Sequence, residues 1–300
     1  MTTEFAALAR QRLRGELLAD EPLALHTSLR VGGPADIFAA PADLADLREL
    51  MRLLAETGTA YLMIGGGYNL LVRDGGFRGV AISLKNLRSM EDHPGNLLSA
   101  GAGMTNGGLV RFAEERRLAG LEFLIGIPGT VGGALSMNAG AHGEAILDRL
   151  DTLTTLSGGE LGTRARNELE YGYRYLRLAP GEIIVAAAFR LDAGTPAEIE
   201  ERIERFLAHR RNAQRVGQPN AGSFFKNPEG QQAWRLIDAA GLRGHRIGGA
   251  QVSEVHANFL VNRGGASARD FLELAALIKE RVKATSGIEL EEEVRIVGAD

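Results

Sequence analysis

Residues 121–143 read LEFLIGIPGTVGGALSMNAGAHG, and the rest of the chain is read outward from them. The stretch holds six glycines and one proline among small and apolar residues, and its one acid, Glu122, stands near the start. Glycine and proline both oppose helix interiors, so this is not an ordinary helix. It also has too few bulky side chains to build a core. Glycine serves where a backbone must approach something closely or turn with positive φ. Free N–H groups in such turns make cavities for anions such as phosphate. Two readings stand side by side: a backbone cradle for a large phosphorylated ligand, and a long structural loop of tight turns. A second cluster, Gly65-Gly66-Gly67, follows a short apolar run and favours the cradle. It lacks the GxGxxG spacing, and no long helix follows it directly, so it does not specify a Rossmann site.

Composition narrows the class. The chain has 300 residues, enough for two or three domains. Its 45% hydrophobic and 24% charged content is that of a globular protein. A net charge of −4 gives no global attraction to nucleic acid or an anionic membrane. The absence of cysteine excludes disulfides, thiolate metal sites and a cysteine nucleophile, and it fits a reducing cytoplasm. The N-terminal residues scatter charge and form no signal-peptide core. No run of about 18 apolar residues predicts a membrane span. The six histidines show no metal-ligand spacing, so no metal is expected.

Periodicity gives the other elements. Residues 5–18 predict a short amphipathic helix. Residues 25–41 predict a strand that turns at Gly32-Gly33-Pro34. Asp43 opens a helix with Leu44, Leu47, Leu50, Met51 and Leu54 on one face, and Gly58 stops it. Strands are expected at 61–64, 80–84, 153–156 and 183–191, a small-residue strand and turn at 98–103, and a helix at 106–117. Residues 170–175, EYGYRY, predict an extended segment with Tyr171, Tyr173 and Tyr175 on one face and Arg174 on the other. Thr195 and Glu198 start a helix that runs to about residue 212. Ser223, Phe225 and Asn227 share a face of an extended segment. A helix holding Trp234, Leu236 and Ile237 ends at Gly241. A strand covers 257–262, a helix capped by Ser267 ends before Gly287, and a last strand covers 290–297, with Glu293 and Arg295 on one face.

Seven stretches, in order, carry a resemblance: HTSLRVGGPAD, IGGGYNLLVRD, GLEFLIGIPGTVGGALSMNAGAHG, YGYRYL, AGSFFKNP, GLRGHRIGGAQVSEVHANFLVN and LEEEVRIVG. Together they resemble the UDP-N-acetylenolpyruvoylglucosamine reductase (MurB) family of bacterial peptidoglycan precursor synthesis, in its shorter, type II form. The resemblance implies an α+β fold of three domains. Residues 1–88 and 89–205 would form an FAD-binding pair similar to the vanillyl-alcohol-oxidase/PCMH type, and residues 206–300 a substrate domain. It implies non-covalent FAD, NADPH as electron donor, a UDP-sugar substrate, a cytoplasmic monomer, and no nucleic-acid or membrane partner. Gly65, Gly66, Gly67, Asn69 and Leu70 would wrap the FAD diphosphate with Ile127, Pro128, Gly129, Gly132, Gly133, Asn138 and Gly140.

The catalytic residues implied are Arg174, Ser223 and Glu293. The chemistry that the resemblance implies has two halves: NADPH would pass hydride to the flavin N5, and N5 would pass it to C3 of the enolpyruvyl group. By the same resemblance, Arg174 and a protonated Glu293 would stabilise the charge that spreads into the substrate carboxylate, and Ser223 would give a proton to C2. Tyr173, Lys226, Asn227, Arg243 and His256 fall where the family contacts substrate. The chain departs from the family pattern at four places. Tyr68 replaces a serine, Tyr175 an aspartate and His26 an asparagine. Glu292 stands where proline is common, and the acid run it completes would raise the pKa of Glu293 by like-charge repulsion. Two other readings are an FAD-linked oxidase of the same superfamily and a flavin-binding protein without catalysis. Neither has an evident need for Ser223 in GSFFKNP or Glu293 in LEEEVR.

Overall fold

The computed structural model describes residues 3–213 and 216–300. The chain divides into two compact units, each assembled from three stretches. The first takes Met1–Leu18, Ile37–Gly66 and Gly79–Arg210; the second takes Ala19–Asp36, Gly67–Arg78 and Arg211–Asp300.

In the first unit a helix, Leu44–Thr57, starts where the Asp43 carboxylate accepts the N–H of Asp46 at 2.9 Å and ends at a left-handed Gly58. Leu47, Leu50, Leu53 and Leu54 are buried on its inner face. They share a core with Ile37, Val80 and Ile82 of a four-stranded sheet, ordered Glu16–Pro22, Pro34–Ala40, Phe77–Ser83, Tyr61–Ile64. The same core runs on to Leu98, Leu153 and Phe189 of a five-stranded antiparallel sheet. Its order is Glu160–Ala165, Leu150–Ser157, Ile183–Arg190, Leu97–Gly101, Met90–His93. The expected 88/89 boundary falls inside this unit, and the 205/206 boundary lies close to its end at Arg210.

The first helix covers Thr3–Arg12, shorter than the predicted 5–18. Asp46 explains the difference. Its carboxylate is buried and accepts the N–H groups of Arg14, Gly15 and Ala42, each at 2.9 Å. The chain is thereby drawn against residue 40, where a Cβ on Gly15 would come within 2.2 Å of the Ala40 carbonyl oxygen. From Glu16 it continues as a strand. Residues 25–41 also differ from expectation: Leu23–His26 is a 3-10 turn, and the strand, Pro34–Ala40, begins after the glycines.

The second unit has a four-stranded antiparallel sheet, ordered Asn220–Ser223, Phe259–Asn262, Ala250–Val252, Arg246–Ile247. The Arg246–Ile247/Ala250–Val252 hairpin is an element that the periodicity did not give. Helices Ala233–Ala239 and Ala268–Ser286 share the core through Ile237, Phe271, Leu274 and Ile278, all fully buried. The longer helix has a Ser267/Asp270 capping box, and Asp74 accepts the N–H groups of Ala268 and Arg269 at 2.8 and 3.0 Å. Orphan N–H groups of a first turn are satisfied in this way. Only Arg295–Val297 of the predicted 290–297 strand is a strand, paired in parallel with Leu70–Val72. Residues 291–293 run instead against 224–226.

Candidate functional site

The first unit brings Gly65 close to the 121–143 stretch. The segment 127–131 is fastened to the turn that follows strand Leu97–Gly101. Val131 donates to the Met104 carbonyl at 2.8 Å, Gly132 to that of Ala102 at 2.9 Å, and Asn106 to those of Gly129 and Ile127 at 3.0 and 3.1 Å. Asn106 is buried and was not singled out by sequence. An asparagine that opens an apolar helix face signals a polar group in need of partners. Thr130 then caps a short helix, Val131–Ser136. Across from it, a Cβ on Gly65 would lie 2.9 Å from Thr130 Oγ1 and 3.9 Å from Gly133 Cα.

The glycines of the cluster are small for different reasons. A Cβ on Gly132 would meet Ala102 Cβ at 2.9 Å, and one on Gly140 the Glu144 carbonyl oxygen at 2.5 Å. Protein packing requires both. A Cβ on Gly133 would meet only Thr130 Oγ1, at 3.5 Å, an ordinary contact. The space in front of Gly133 is open to a ligand.

Arg174 lies in the same unit. Residues 171–176 are not one extended segment. Tyr171–Gly172 pairs with Tyr175–Leu176, and Tyr173-Arg174 makes the two-residue turn between them. Arg174 takes φ +64°, a region that L side chains occupy at a cost of about 1 kcal/mol. Its guanidinium donates to the Gly140 carbonyl at 3.1 Å and lies over the Tyr173 ring, 4.9 Å from the centroid. Tyr173 and Tyr175 are exposed. The Tyr175 ring lies against Gly172, where a Cβ would sit 2.5 Å from Cε1.

The second unit brings Ser223 and Glu293 onto neighbouring chains. Glu293 donates its backbone N–H to the Phe224 carbonyl at 2.8 Å, Lys226 donates to that of Glu291 at 2.8 Å, and Phe225 bridges Glu292. Ser223 ends its strand after a register shift against Phe259–Asn262. Such a bulge re-aims a side chain; beyond it the expected alternation of Ser223, Phe225 and Asn227 is not kept, since Phe224 and Phe225 are both buried. Asn258 fixes this segment from behind. Its side chain accepts from Phe225 N–H at 3.0 Å and donates to the Phe225 carbonyl at 2.8 Å, while its own carbonyl accepts from Phe224 at 2.8 Å. Asn258 is 2% exposed. A lone asparagine in HANFLV was the signal for it.

The acid run is partly compensated. Glu291 pairs with Lys226, and both Glu292 carboxylate oxygens take Lys279 Nζ at 3.1 Å. Each neighbour of Glu293 thus has its own cation, which offsets the like-charge repulsion expected from the run.

The remaining expected residues of the second unit mostly hold backbone. Asn69 Nδ2 donates to the Glu293 carbonyl at 3.0 Å, and Leu70 opens the strand beside Arg295. A Cβ on Gly67 would strike the His26 carbonyl oxygen at 2.0 Å. Asn227 Oδ1 accepts from Ala233 N–H at 3.0 Å. Arg243 donates to Asp238 and to the Glu254 carbonyl, each at 2.7 Å, and the Asp238 hydrogen bond raises its pKa. His256 packs on Phe259 with ring centroids 4.5 Å apart. Burial first, and the Arg243 charge second, push the His256 imidazole below its ordinary pKa. It is therefore neutral at pH 7.

Residues 214–297 match the UDP-N-acetylenolpyruvoylglucosamine reductase, C-terminal domain family, and residues 35–160 match the FAD binding domain family. The chain is 67% identical to the UDP-N-acetylenolpyruvoylglucosamine reductase of Geotalea uraniireducens, covering 96% of each chain. It is 63% identical to that of Geobacter metallireducens, covering 100% of each. Among solved structures, the UDP-N-acetylenolpyruvylglucosamine reductase (MurB) of Thermus caldophilus superposes with a TM-score of 0.81 at 35% identity, over 95% of this chain and 99% of that one. An FAD-binding region, a MurB C-terminal domain and relatives matched over nearly their whole length converge on one assignment: the chain belongs to the UDP-N-acetylenolpyruvoylglucosamine reductase family.

Proposed function

We propose that the protein reduces the enolpyruvyl group of UDP-N-acetylglucosamine enolpyruvate to give UDP-N-acetylmuramate, for peptidoglycan precursor synthesis, with NADPH as electron donor. The observation that supports this reading is the pairing of residues 224–226 with 291–293, which brings the segment that follows Ser223 alongside the segment that carries Glu293. FAD, when bound, supplies the hydride for C3 of the substrate. Arg174 and a protonated Glu293, each donating a hydrogen bond, stabilise the negative charge of the substrate carboxylate as it grows. Ser223 donates a proton to C2 from its hydroxyl. Lys226 and Arg243 are the cations of the second unit suited to the UDP diphosphate, and neutral His256, Asn227 and Tyr173 complete the substrate contacts. We assign the work to a cytoplasmic monomer of three domains, 1–88, 89–205 and 206–300.

The residues of the first unit fit FAD. A diphosphate needs close approach of backbone N–H groups, and Gly65, Gly129 and Gly133 supply a side-chain-free surface there. Gly133→Val tests this fit. The protein around residue 133 accommodates a Cβ, so the variant is expected to fold and stay soluble but to purify colourless. Normal flavin content in Gly133→Val would show that the stretch is only a structural loop.

The function itself is tested in two steps. Acid denaturation should release yellow flavin into the supernatant, since no cysteine is available to link it; colour in the pellet would refute non-covalent binding. Under anaerobic conditions NADPH should bleach the native protein, and the enolpyruvyl sugar nucleotide should restore its colour. A protein that fails to bleach, or that bleaches and ignores the sugar nucleotide, does not carry out this reaction.

A further inference from the structure

Asn138 belongs to the glycine-rich stretch and was expected to touch FAD, yet both ends of its side chain are committed within the protein. Nδ2 donates to the Gly172 carbonyl at 3.0 Å, and Oδ1 accepts from Leu147 N–H at 3.3 Å. Asn138 is 7% exposed. Gly172 is the residue that enters the Tyr173-Arg174 turn. Arg174 in turn donates to the carbonyl of Gly140, two residues beyond Asn138. Two hydrogen bonds thus tie 138–140 to 172–174, one reaching in each direction. Gly140 is itself held in a two-stranded ribbon with Glu144–Ala145.

From this geometry we infer that Asn138 is a positioning residue for Arg174, and that its side chain is not a flavin ligand. The inference rests on the role proposed for Arg174. The turn that carries Arg174 has no glycine or asparagine at its positive-φ position, the residues such turns favour. An outside brace on the Gly172 carbonyl holds the hairpin in register while Arg174 occupies that conformation. The Asn138 bond supplies the brace from the loop that also receives the guanidinium. Asn138 itself takes φ +42° just after helix Val131–Ser136, where asparagine is favoured for backbone reasons alone. The test must therefore separate its hydrogen bonds from its backbone preference.

Two variants do so. Asn138→Asp keeps the tolerance for positive φ and the acceptor for Leu147 but removes the donor to Gly172. Asn138→Gly keeps the backbone tolerance and removes both bonds. In each, FAD content is expected to stay near that of the unaltered protein, and flavin reduction by NADPH to stay within about twofold. Reoxidation by substrate is expected to slow by about 10–10²-fold, the scale of misplacing a catalytic group by a fraction of an ångström to one ångström. Hydrogen exchange of the peptide covering 170–177 should quicken, a readout independent of turnover. Combined with Arg174→Ala, Asn138→Asp should add nothing to the loss caused by Arg174→Ala alone, because residues acting through one another are non-additive.

Normal reoxidation in both Asn138 variants, with Arg174→Ala slow, would overturn the inference. Loss of FAD in Asn138→Asp would overturn it too, by returning Asn138 to the cofactor. If Arg174→Ala reoxidises at the normal rate, the reading of Arg174 fails and the positioning role falls with it.

Discussion

Arg174→Ala and Glu293→Ala are each expected to slow flavin reoxidation by the enolpyruvyl substrate by about 10²–10³-fold, the usual loss when one fixed donor to a developing charge is removed. Flavin reduction by NADPH should change far less, because no charge develops on the sugar nucleotide in that half of the cycle. The two residues sit on very different supports. Arg174 is carried by a two-residue turn with φ +64°. Its alanine variant keeps the same backbone requirement, so lost rate is not a matter of relieved strain. Glu293 is held by its backbone, through the Phe224 carbonyl on one side and Asn69 Nδ2 on the other. Removing its carboxylate leaves those bonds in place, so the segment should keep its course. Stopped-flow measurement of both half-reactions decides the matter. A loss confined to the NADPH half-reaction would show that the assigned roles are wrong.

Ser223→Ala should leave FAD content and NADPH reduction near normal and slow reoxidation by about 10²-fold or more, the lower range for a missing general acid. The structure supports a clean experiment. Phe224 and Phe225 are buried at 1% and 0% exposure, and Asn258 clamps the Phe225 backbone from both sides. Removing one hydroxyl therefore does not release the segment. Substrate should still bind, since a hydroxyl is small beside a whole UDP-sugar. Ser223→Cys should recover part of the rate that alanine loses, because a thiol also donates a proton. If alanine and cysteine variants both reoxidise as fast as the unaltered protein, the proton comes from elsewhere. If alanine instead lowers stability or flavin content and spares the rate, Ser223 only shapes the bulge after Gly222.

Elements governed by local chemistry were legible in the sequence. Asp43 and Gly58 bound one helix, Ser267 and Gly287 another, and Thr195 starts a third with Glu198 accepting from its N–H and hydroxyl. Caps act within a few residues, so a few residues suffice to read them. Elements governed by distant partners were not. Residues 13–18 have a helical pattern, yet Asp46, some thirty residues away, claims the N–H groups that would continue the helix. Residues 290–297 have a strand pattern, yet only the last three of that run, Arg295–Val297, form a strand with a partner. The tyrosines of 171–175 alternate as in a strand, and a turn centred on Tyr173-Arg174 folds them back. The glycine-rich stretch was found by composition, but composition could not rank its members. Gly132 and Gly140 are small because protein packs on them, and Gly133 faces open space.

The parallel pairing of Leu70–Val72 with Arg295–Val297 sets a condition on how the second unit is made in the cell. Strand 70–72 leaves the ribosome well before its partner, which lies 225 positions later in register (295 minus 70). At a synthesis rate of about 5–20 residues per second, the early strand waits on the order of 10–45 s for that partner. Through that interval Leu71, fully buried in the finished protein, has no native cover from residues 295–297. The second unit thus closes late, once residues 295–297 have emerged. Chains truncated before residue 295 should depend on chaperones and be prone to degradation.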